Sequence, residues 1–444
     1  MASIVQKPEN KILPAYSSMV FVATENAGTL AAAAYYRYIF KVKIRSYYYT
    51  TTGVDYDDET IEFKVVPNKE NKGIVDISQV VKDYIETDER NYNNATQAIH
   101  NVTKYSFNIK NLVKVEVQLG YEYATTALGA VTTGTPQTFA EYRVFNGCQQ
   151  IEDGLTYDYT PHILDGETKS VLSNLDSTVA RKLRRTDYAT VAFFNGAFEN
   201  LDGTTEYSDA NKTHLKFYDS DDAQIGLTQA FHTNTAANNG APASSTTNGT
   251  LKGLLYLGVG AQNITDSGIT IPANASYYTI QFMSLTYSNA RSKLYTFKLQ
   301  DDDCKGYETI RLAYLNRLGA YDYFNFTKLS RKITNIARDN YTKNVGTWQG
   351  DNYSYNTFER GRAVLNTTAI ETIEAHTDYI TEAEAAGLEE LFTSPSVWVY
   401  DDSNKWLPVV VTEQSYTKQT TANDMLKQYV IAVEKAHSKR IQTS

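Results

Sequence analysis

The chain has 444 residues, too many for one ordinary hydrophobic core, so two or three domains are expected. Its formal net charge is −9, from 42 basic and 51 acidic residues, which argues against a general nucleic-acid or membrane-surface binder with a basic face. Cys148 and Cys304 make no disulfide framework, and no run approaches the roughly 20 apolar residues of a membrane span. The first residues lack the basic start and apolar block of a secretion signal, so we expect synthesis in a reducing cytoplasm.

Residues 1–125 predict an N-terminal β domain with one helix. Residues 1–16 are polar, contain two prolines and predict either an arm that lies over a neighbouring subunit or a frayed terminus. Residues 36–49 predict a strand, and within it apolar and basic residues alternate over 40–45, the period of a strand with one solvated face. A second strand is predicted over 59–66, with the acidic segment 55–59 as the turn between the two strands.

The hydrophobic period changes twice within this domain. Over residues 76–85 the apolar side chains recur at helical spacing, and Asp76 is positioned as an N-cap. Residues 113–119 return to strict alternation and predict a strand. Two strands, a helix and a further strand indicate a sandwich-like β domain.

The middle region, residues 126–300, contains a short internal repeat. Phe-Asn-Gly at 145–147 is followed by Asp-Gly at 153–154, and Phe-Asn-Gly at 194–196 is followed by Asp-Gly at 202–203. Asn-Gly and Asp-Gly are favoured hairpin turns, so the sequence predicts two similar hairpins. They mark either equivalent loops on a contact surface or a coincidence of turn chemistry.

Two further segments of this middle β domain differ in composition from the rest. Residues 231–250 are a run of Thr, Asn, Ala, Ser and Gly, which predicts a long polar loop. The basic cluster 181–185 predicts a short helix with a solvated face, or alternatively a contact with an acidic neighbour.

Residues 301–444 predict a C-terminal β domain with one helix. Two apolar and aromatic runs within 310–326 flank a turn in which Gly319 supplies a positive φ, which predicts a hairpin. Thr381 and Glu384 have the spacing of a capping box at the start of a helix.

The remaining C-terminal segments are predicted as extended chain. Residues 366–380 are expected to be extended, 397–400 and 406–412 form a hairpin across a polar turn, and 429–433 close the chain. The expected fold class is therefore mainly β with a few short helices, in a multi-domain β-sandwich or β-barrel-like architecture.

The sequence selects no catalytic, cofactor-binding or metal-binding residue. None of the six histidines is spaced as a zinc ligand, and neither a Gly-x-Ser-x-Gly motif nor a P-loop is present. The acidic run 219–222 has the density of a calcium loop but lacks its Gly and terminal Glu, so a solvated turn is the main interpretation. Glycoside hydrolysis needs two carboxylates, and nothing selects a pair among the 51 acids.

Aromatic residues are the other candidates for function. Tyrosine is the compositional outlier, with 35 residues, and it favours strands while carrying a polar tip on an apolar ring. A high tyrosine content is expected if these side chains are buried against partner proteins, or if they pair across strands within the chain. The clusters 47–49 and Tyr353 with Tyr355 are interpreted either as strand packing or as platforms that stack on sugars.

Five segments together resemble a known group of proteins. Residues 304–326 contain a Cys, an apolar strand ending in Leu-Asn-Arg-Leu-Gly, and an acidic, aromatic strand. Residues 391–400, 407–411 and 426–436 follow in the order helix end, Ser-Pro, strand, apolar strand and last strand. With residues 73–85, these segments resemble virion structural proteins of tailed phages of Bacteroidetes-type hosts, including the crAss-like phages.

The resemblance implies a structural subunit of the virion, in the tail hub, baseplate, ring or collar, and not an enzyme. Its expected partners are copies of itself, in a ring or trimer-based assembly, and neighbouring tail or collar proteins. No specific nucleic acid, membrane insertion or cofactor is expected, and the virion tail would be assembled in the host cytoplasm. The alternatives are a receptor- or glycan-binding tail adaptor and a hydrolase of host glycans.

Overall fold

A computed structural model describes residues 2–49, 54–87, 89–91, 94–107, 110–155, 158–195, 210–233, 246–247, 250–251, 253–286, 288–300, 306–401, 403–413 and 427–439. The protein is mainly β, with 48% strand and 11% helix, and has the multi-domain, β-sandwich-like character predicted from its sequence. The chain divides into two compact units. The first contains residues 1–301 and 316–322, and the second contains residues 302–315 and 323–444. The three-domain division with limits at 125 and 300 stays a prediction.

The first unit is built mostly from antiparallel strands. Its strands are β1 Ser3–Gln6, β2 Ile12–Tyr16, β3 Val20–Thr24, β4 Tyr35–Tyr49, β5 Val54–Val65, β6 Lys72–Asp76, β7 Arg90–Asn91, β8 Asn94–Ala98, β9 Ser106–Phe107, β10 Leu112–Ala124, β11 Thr132–Thr133, β12 Gln137–Cys148, β13 Arg181–Leu183, β14 Thr190–Asn195, β15 Lys212–Tyr218, β16 Gln224–Thr233, β17 Thr246–Thr247, β18 Thr250–Leu251, β19 Gly253–Gly258, β20 Tyr277–Met283 and β21 Tyr295–Leu299. Its α-helices are α1 Ala27–Ala31, α2 Ser78–Val81 and α3 Ala261–Asp266. Short 3-10 helices span Lys82–Tyr84, Ile99–Asn101, Ile151–Asp153 and Thr160–His162.

Four sheets organise the described part of this unit, beside two short strand pairs. Their orders are β1-β3-β6, β2-β12-β10-β4-β5 with β11 on β10, β13-β21-β20-β15-β16, and β14-β19-β9. The first two sheets share one hydrophobic core, in which β10 contributes every second residue from Val113 to Leu119. This alternation is the one that the sequence predicts for 113–119, because successive side chains of a strand point to opposite faces.

The acidic segment 55–59 is not the predicted turn. It lies within β5, which pairs with β4 along its whole length. Asp58 accepts a hydrogen bond of 2.7 Å from Nε of Arg45 and lies 3.0 Å from Nζ of Lys43. The segment therefore continues the strand, and cross-strand pairing with basic residues of β4 compensates the charge of Asp58.

Two other local predictions in this unit are wrong. Residues 181–185 do not form a helix, since Arg181–Leu183 is a strand parallel to β21. Arg185 donates to the backbone carbonyls of Pro272, Ala273 and Ala275, so this cation is used within the chain. Residues 145–147 form no turn because they continue β12, and the second copy of the repeat, from residue 196, lies outside the described residues.

The predicted helix over residues 76–85 is shorter than its apolar spacing suggests. It consists of Ser78–Val81, continued by the 3-10 turn Lys82–Tyr84. Asp76 lies one residue before the N-cap position, and its carboxylate accepts from the amides of Ser78 and Met19, each at 2.9 Å. These hydrogen bonds lower the pKa of Asp76, against the effect of burial.

The structure contradicts part of the predicted N-terminal arm, whereas most of the predicted polar loop lies outside the described residues. Within residues 1–16, β1 and β2 are strands of two sheets, so the arm is wrong for these segments because their backbone groups pair with β3 and β12. In the predicted loop 231–250, residues 231–233 end β16, and residues 234–245 and 248–249 lie outside the described residues, as does Cys304.

The second unit is one seven-stranded sheet with a helix. Its strands are β22 Ile310–Leu315, β23 Tyr321–Phe326, β24 Ser330–Thr342, β25 Arg362–His376, β26 Val397–Tyr400, β27 Trp406–Val411 and β28 Val430–Lys435, and its helix is α4 Glu382–Thr393. The sheet order is β23-β22-β26-β27-β28-β25-β24. The predicted capping box at Thr381 and Glu384 is confirmed, with both reciprocal hydrogen bonds formed. The helix buries Leu388 and Leu391 in the core of the sheet.

The predicted hairpin over residues 310–326 is confirmed as β22 and β23, and its turn belongs to the first unit. Gly319 has φ +74°, as predicted, and a Cβ there would lie 2.1 Å from the carbonyl oxygen of Asn146. The turn is buried, and Asn316 donates to the Leu172 carbonyl at 3.1 Å and to the Asp322 carboxylate at 2.8 Å.

Candidate functional site

The seven-stranded sheet ends in a two-stranded ribbon. β24 and β25 pair from Ser330–Ala375 to Thr342–Arg362, with one register shift that leaves Leu365 unpaired between Asn366 and Val364. β28 pairs with β25 only over Thr372–His376. Beyond that, Lys439 donates its amide to the Ala369 carbonyl at 2.8 Å, and the ammonium groups of Lys435 and Lys439 lie 2.7 and 3.0 Å from the Glu371 carboxylate. We call residues 334–342 with 362–371 the ribbon.

The ribbon is solvated on both faces, apart from the buried Ala369. Every residue of β24 after Ser330 is exposed. Ile333 lies beside the base of the ribbon, and Ile336 lies within it. The two residues are three positions apart along β24, so their side chains point to opposite faces of the strand. They are 46% and 50% exposed, and Leu365 on β25 is 63% exposed. Apolar side chains thus stand in solvent on both sides of a strand pair that is only marginally stable as an isolated unit.

The ribbon ends in a loop, residues 343–361, which we call the tip loop. It carries the densest group of exposed aromatic side chains in the described part of the second unit. Their exposed fractions are 67% for Trp348, 58% for Tyr353, 64% for Tyr355 and 81% for Phe358.

Hydrogen bonds, rather than a hydrophobic core, fix the conformation of the tip loop. The Glu359 carboxylate accepts from the amide of Gly346 at 2.6 Å and from the amide of Asn356 at 3.2 Å. The Gly346 hydrogen bond is the largest cause that keeps the pKa of Glu359 below its ordinary value. Gly346 has φ +93°, and a Cβ there would meet the Ser354 carbonyl oxygen at 2.7 Å, so this close turn requires glycine.

The polar edges of two rings are bonded within the loop. Nε1 of Trp348 donates to the Val345 carbonyl at 3.0 Å, and the Tyr353 hydroxyl donates to the same carbonyl at 3.1 Å. The ring centroids of Trp348 and Tyr353 are 5.3 Å apart, and those of Tyr353 and Tyr355 are 6.3 Å apart. The result is a row of three rings, oriented by the loop and largely open to solvent.

This geometry separates the two interpretations of the aromatic clusters. Tyr353 and Tyr355 do not pack against strands, since they lie in the tip loop and most of their surface is exposed. Residues 47–49 form the end of β4, and their side chains lie outside the described structure. Because the stretch around Tyr353 has no strand periodicity, its Gly, Asn and Ser content is the signal that indicates a loop.

The first unit contains a polar cleft. It has a volume of about 510 Å³ and lies between the end of β2, the start of α2 and the segment after β12. Several of its polar groups are already bonded within the protein, such as Lys82 to Gln79 at 2.6 Å and the Gln149 amide to the Ser17 hydroxyl at 3.0 Å. Nothing in its lining selects one ligand.

The acidic run 219–222 forms the turn between β15 and β16. Oδ1 of Asp219 accepts from the amides of Asp221 at 3.0 Å and Ala223 at 2.9 Å, as in a side-chain-capped turn. Across the described residues, no three His, Cys, Asp or Glu side chains converge as metal ligands.

None of the described helices has the length and apolar character required to cross a membrane. Comparison with protein-family profiles found no match to this chain. Comparison with curated proteins likewise found none. The ribbon and its tip loop are therefore interpreted from their own geometry.

Proposed function

We propose that the chain is a structural subunit of a tailed-phage virion, most consistent with a tail position such as the hub, baseplate or ring. The sequence resemblance around the β22–β23 hairpin and at the C-terminus motivates the virion assignment. The subunit works by binding copies of itself and neighbouring subunits, and it carries out no reaction.

The observation that carries the assembly role is the ribbon. A strand pair with exposed apolar side chains on both faces gains stability when neighbours cover it, because burial removes about 25 cal/mol of unfavourable hydration per Å². Ile336 and Leu365 are the side chains with most to gain, since each leaves half or more of its surface in water. An assembly offers surfaces to both faces at once, whereas a small ligand does not.

Mass spectrometry and cryo-electron microscopy of purified particles test this function. We expect the chain in the particle, arranged in a closed ring, with protein density on both faces of the ribbon. Absence of the chain from purified particles would refute the virion assignment.

A substitution series tests the ribbon within the same experiment. The double variant Ile336→Ser with Leu365→Ser is expected to reduce incorporation into particles severalfold. Leu128→Ser is the matched control, because Leu128 is fully exposed in the first unit and far from the ribbon in sequence. Normal incorporation of the double variant would show that the ribbon is not an assembly contact.

A further inference from the structure

We infer that the tip loop is a binding site for an uncharged saccharide. The three rings of Trp348, Tyr353 and Tyr355 supply the apolar faces, and the polar side chains around them supply hydrogen bonds. This inference concerns ligand recognition and does not require that the chain be part of a virion.

The ring geometry suits stacking on a sugar. Internal hydrogen bonds to the Val345 carbonyl satisfy the polar edges of Trp348 and Tyr353. Their orientation is thus set before any ligand arrives, and binding costs little conformational entropy. More than half of the surface of each of the three residues is exposed. This area is available to the C–H surface of a sugar ring, which is apolar, and an aromatic ring offers a large rigid area to such a surface.

The side chains beside the rings match hydroxyl groups. The loop contains four amide side chains, at Asn344, Gln349, Asn352 and Asn356. An amide offers both a donor and an acceptor, which a sugar hydroxyl also does, so the two groups can pair in either sense.

The charge of the tip loop favours an uncharged ligand over an anionic one. Within residues 343–361 there are two basic and two acidic side chains, so the loop has no net charge. One of the acids, Glu359, is held by the amides of Gly346 and Asn356. The loop therefore has no cationic cluster of the kind that binds sulfated or phosphorylated glycans.

The same composition disfavours a protein as the occupant of the tip loop. Aromatic residues are enriched at protein interfaces too, but the fully buried centre of such an interface is more apolar than the rest of the protein surface. Val345 is the one aliphatic side chain between residues 343 and 361, and the rings alternate in the sequence with amide and hydroxyl residues. The ribbon, with Ile336 and Leu365, has the character of a protein contact, and the tip loop does not.

The test uses the full chain on an array of neutral oligosaccharides of glucose, galactose, mannose and N-acetylglucosamine, with sialylated oligosaccharides for comparison. Calorimetry follows with the neutral probe that binds best. We expect neutral probes to bind, and Trp348→Ala and Tyr353→Ala each to weaken binding about tenfold, the size of a lost aromatic contact. Trp348→Phe keeps a ring face and is expected to retain most of the affinity.

Tyr379→Ala is the matched control, because Tyr379 is 59% exposed in the same unit but lies outside the ribbon and the tip loop. Saccharide binding by this variant is expected to equal that of the unmodified chain. Three results would overturn the inference. They are no binding of any neutral probe at millimolar concentration, binding that Trp348→Ala leaves unchanged, and loss of particle incorporation in Trp348→Ala without saccharide binding. The third result would leave the proposed assembly function intact and make the tip loop a protein contact.

Discussion

At Gly319, both the backbone conformation and the packing require glycine. Its φ is +74°, and a Cβ would come within 2.1 Å of the Asn146 carbonyl oxygen. We expect Gly319→Ala to lower the free energy of unfolding of the first unit by about 3 kcal/mol, from backbone strain together with overpacking. Urea denaturation measures the change.

The control variant Gly226→Ala separates backbone strain from overpacking. Gly226 also has a positive φ, of +71°, but no atom lies within 4 Å of the position of its Cβ. The control should therefore cost only the backbone term, about 1 kcal/mol. Equal losses at the two positions would show that the contact with Asn146 contributes nothing.

Asp322 is a buried carboxyl group in β23, directly after this turn. Burial raises its pKa above the ordinary value of 3.8, although hydrogen bonds from Ser173 and Asn316 oppose the shift. The folded state therefore binds the proton more tightly than the unfolded state, and stability is lost as the pH rises through the folded pKa. We expect the stability of the unmodified chain relative to Asp322→Asn to fall as the pH rises from about 4.

Denaturation of both proteins between pH 4 and pH 8 measures this difference. A relative stability that rises with pH would mean that the hydrogen bonds from Ser173, at 2.6 Å, and Asn316, at 2.8 Å, outweigh burial and stabilise the ionised carboxylate.

At the scale of elements, helix α4 depends on its first turn. The Thr381 hydroxyl accepts from the Glu384 amide, and the Glu384 carboxylate accepts from the Thr381 amide at 2.9 Å. We expect Thr381→Ala to destabilise the second unit by about 1 kcal/mol, because the Glu384 amide loses its side-chain acceptor. Thr393→Ala, at the exposed end of the same helix, should change stability by less than half as much in the same thermal denaturation assay.

The elements that sequence patterns predict correctly are those whose signals are local. The capping box at Thr381 and the alternation over 113–119 need only the neighbouring residues of the chain. Residues 55–59 and 181–185 were assigned wrongly because their charges suggested solvated segments. Partners distant in sequence, such as Arg45 for Asp58, compensate those charges in the folded chain.

At the scale of the whole molecule, the ribbon and tip loop are separable from the core. Residues 327–372, all described, contribute no member to the core cluster of the second unit. We expect replacement of residues 339–366 by Asn-Gly, which joins the paired residues Arg338 and Thr367, to leave the free energy of unfolding within about 0.5 kcal/mol.

Circular dichroism melting of the shortened chain measures this stability. A loss of several degrees in melting temperature would show that the ribbon supports the sheet and is not a separate interaction element.

The sequence by itself determined the β class, the confirmed hairpin at 310–326 and the start of helix α4, because hydrophobic period, turn glycines and caps act between near neighbours. Only the tertiary structure decided which polar and aromatic residues face solvent. Tyr353 is exposed and Tyr38 is fully buried, although both are tyrosines in aromatic stretches. Exposure depends on which distant strands cover a residue, and that pairing follows from the global packing of sheets, which local sequence does not encode.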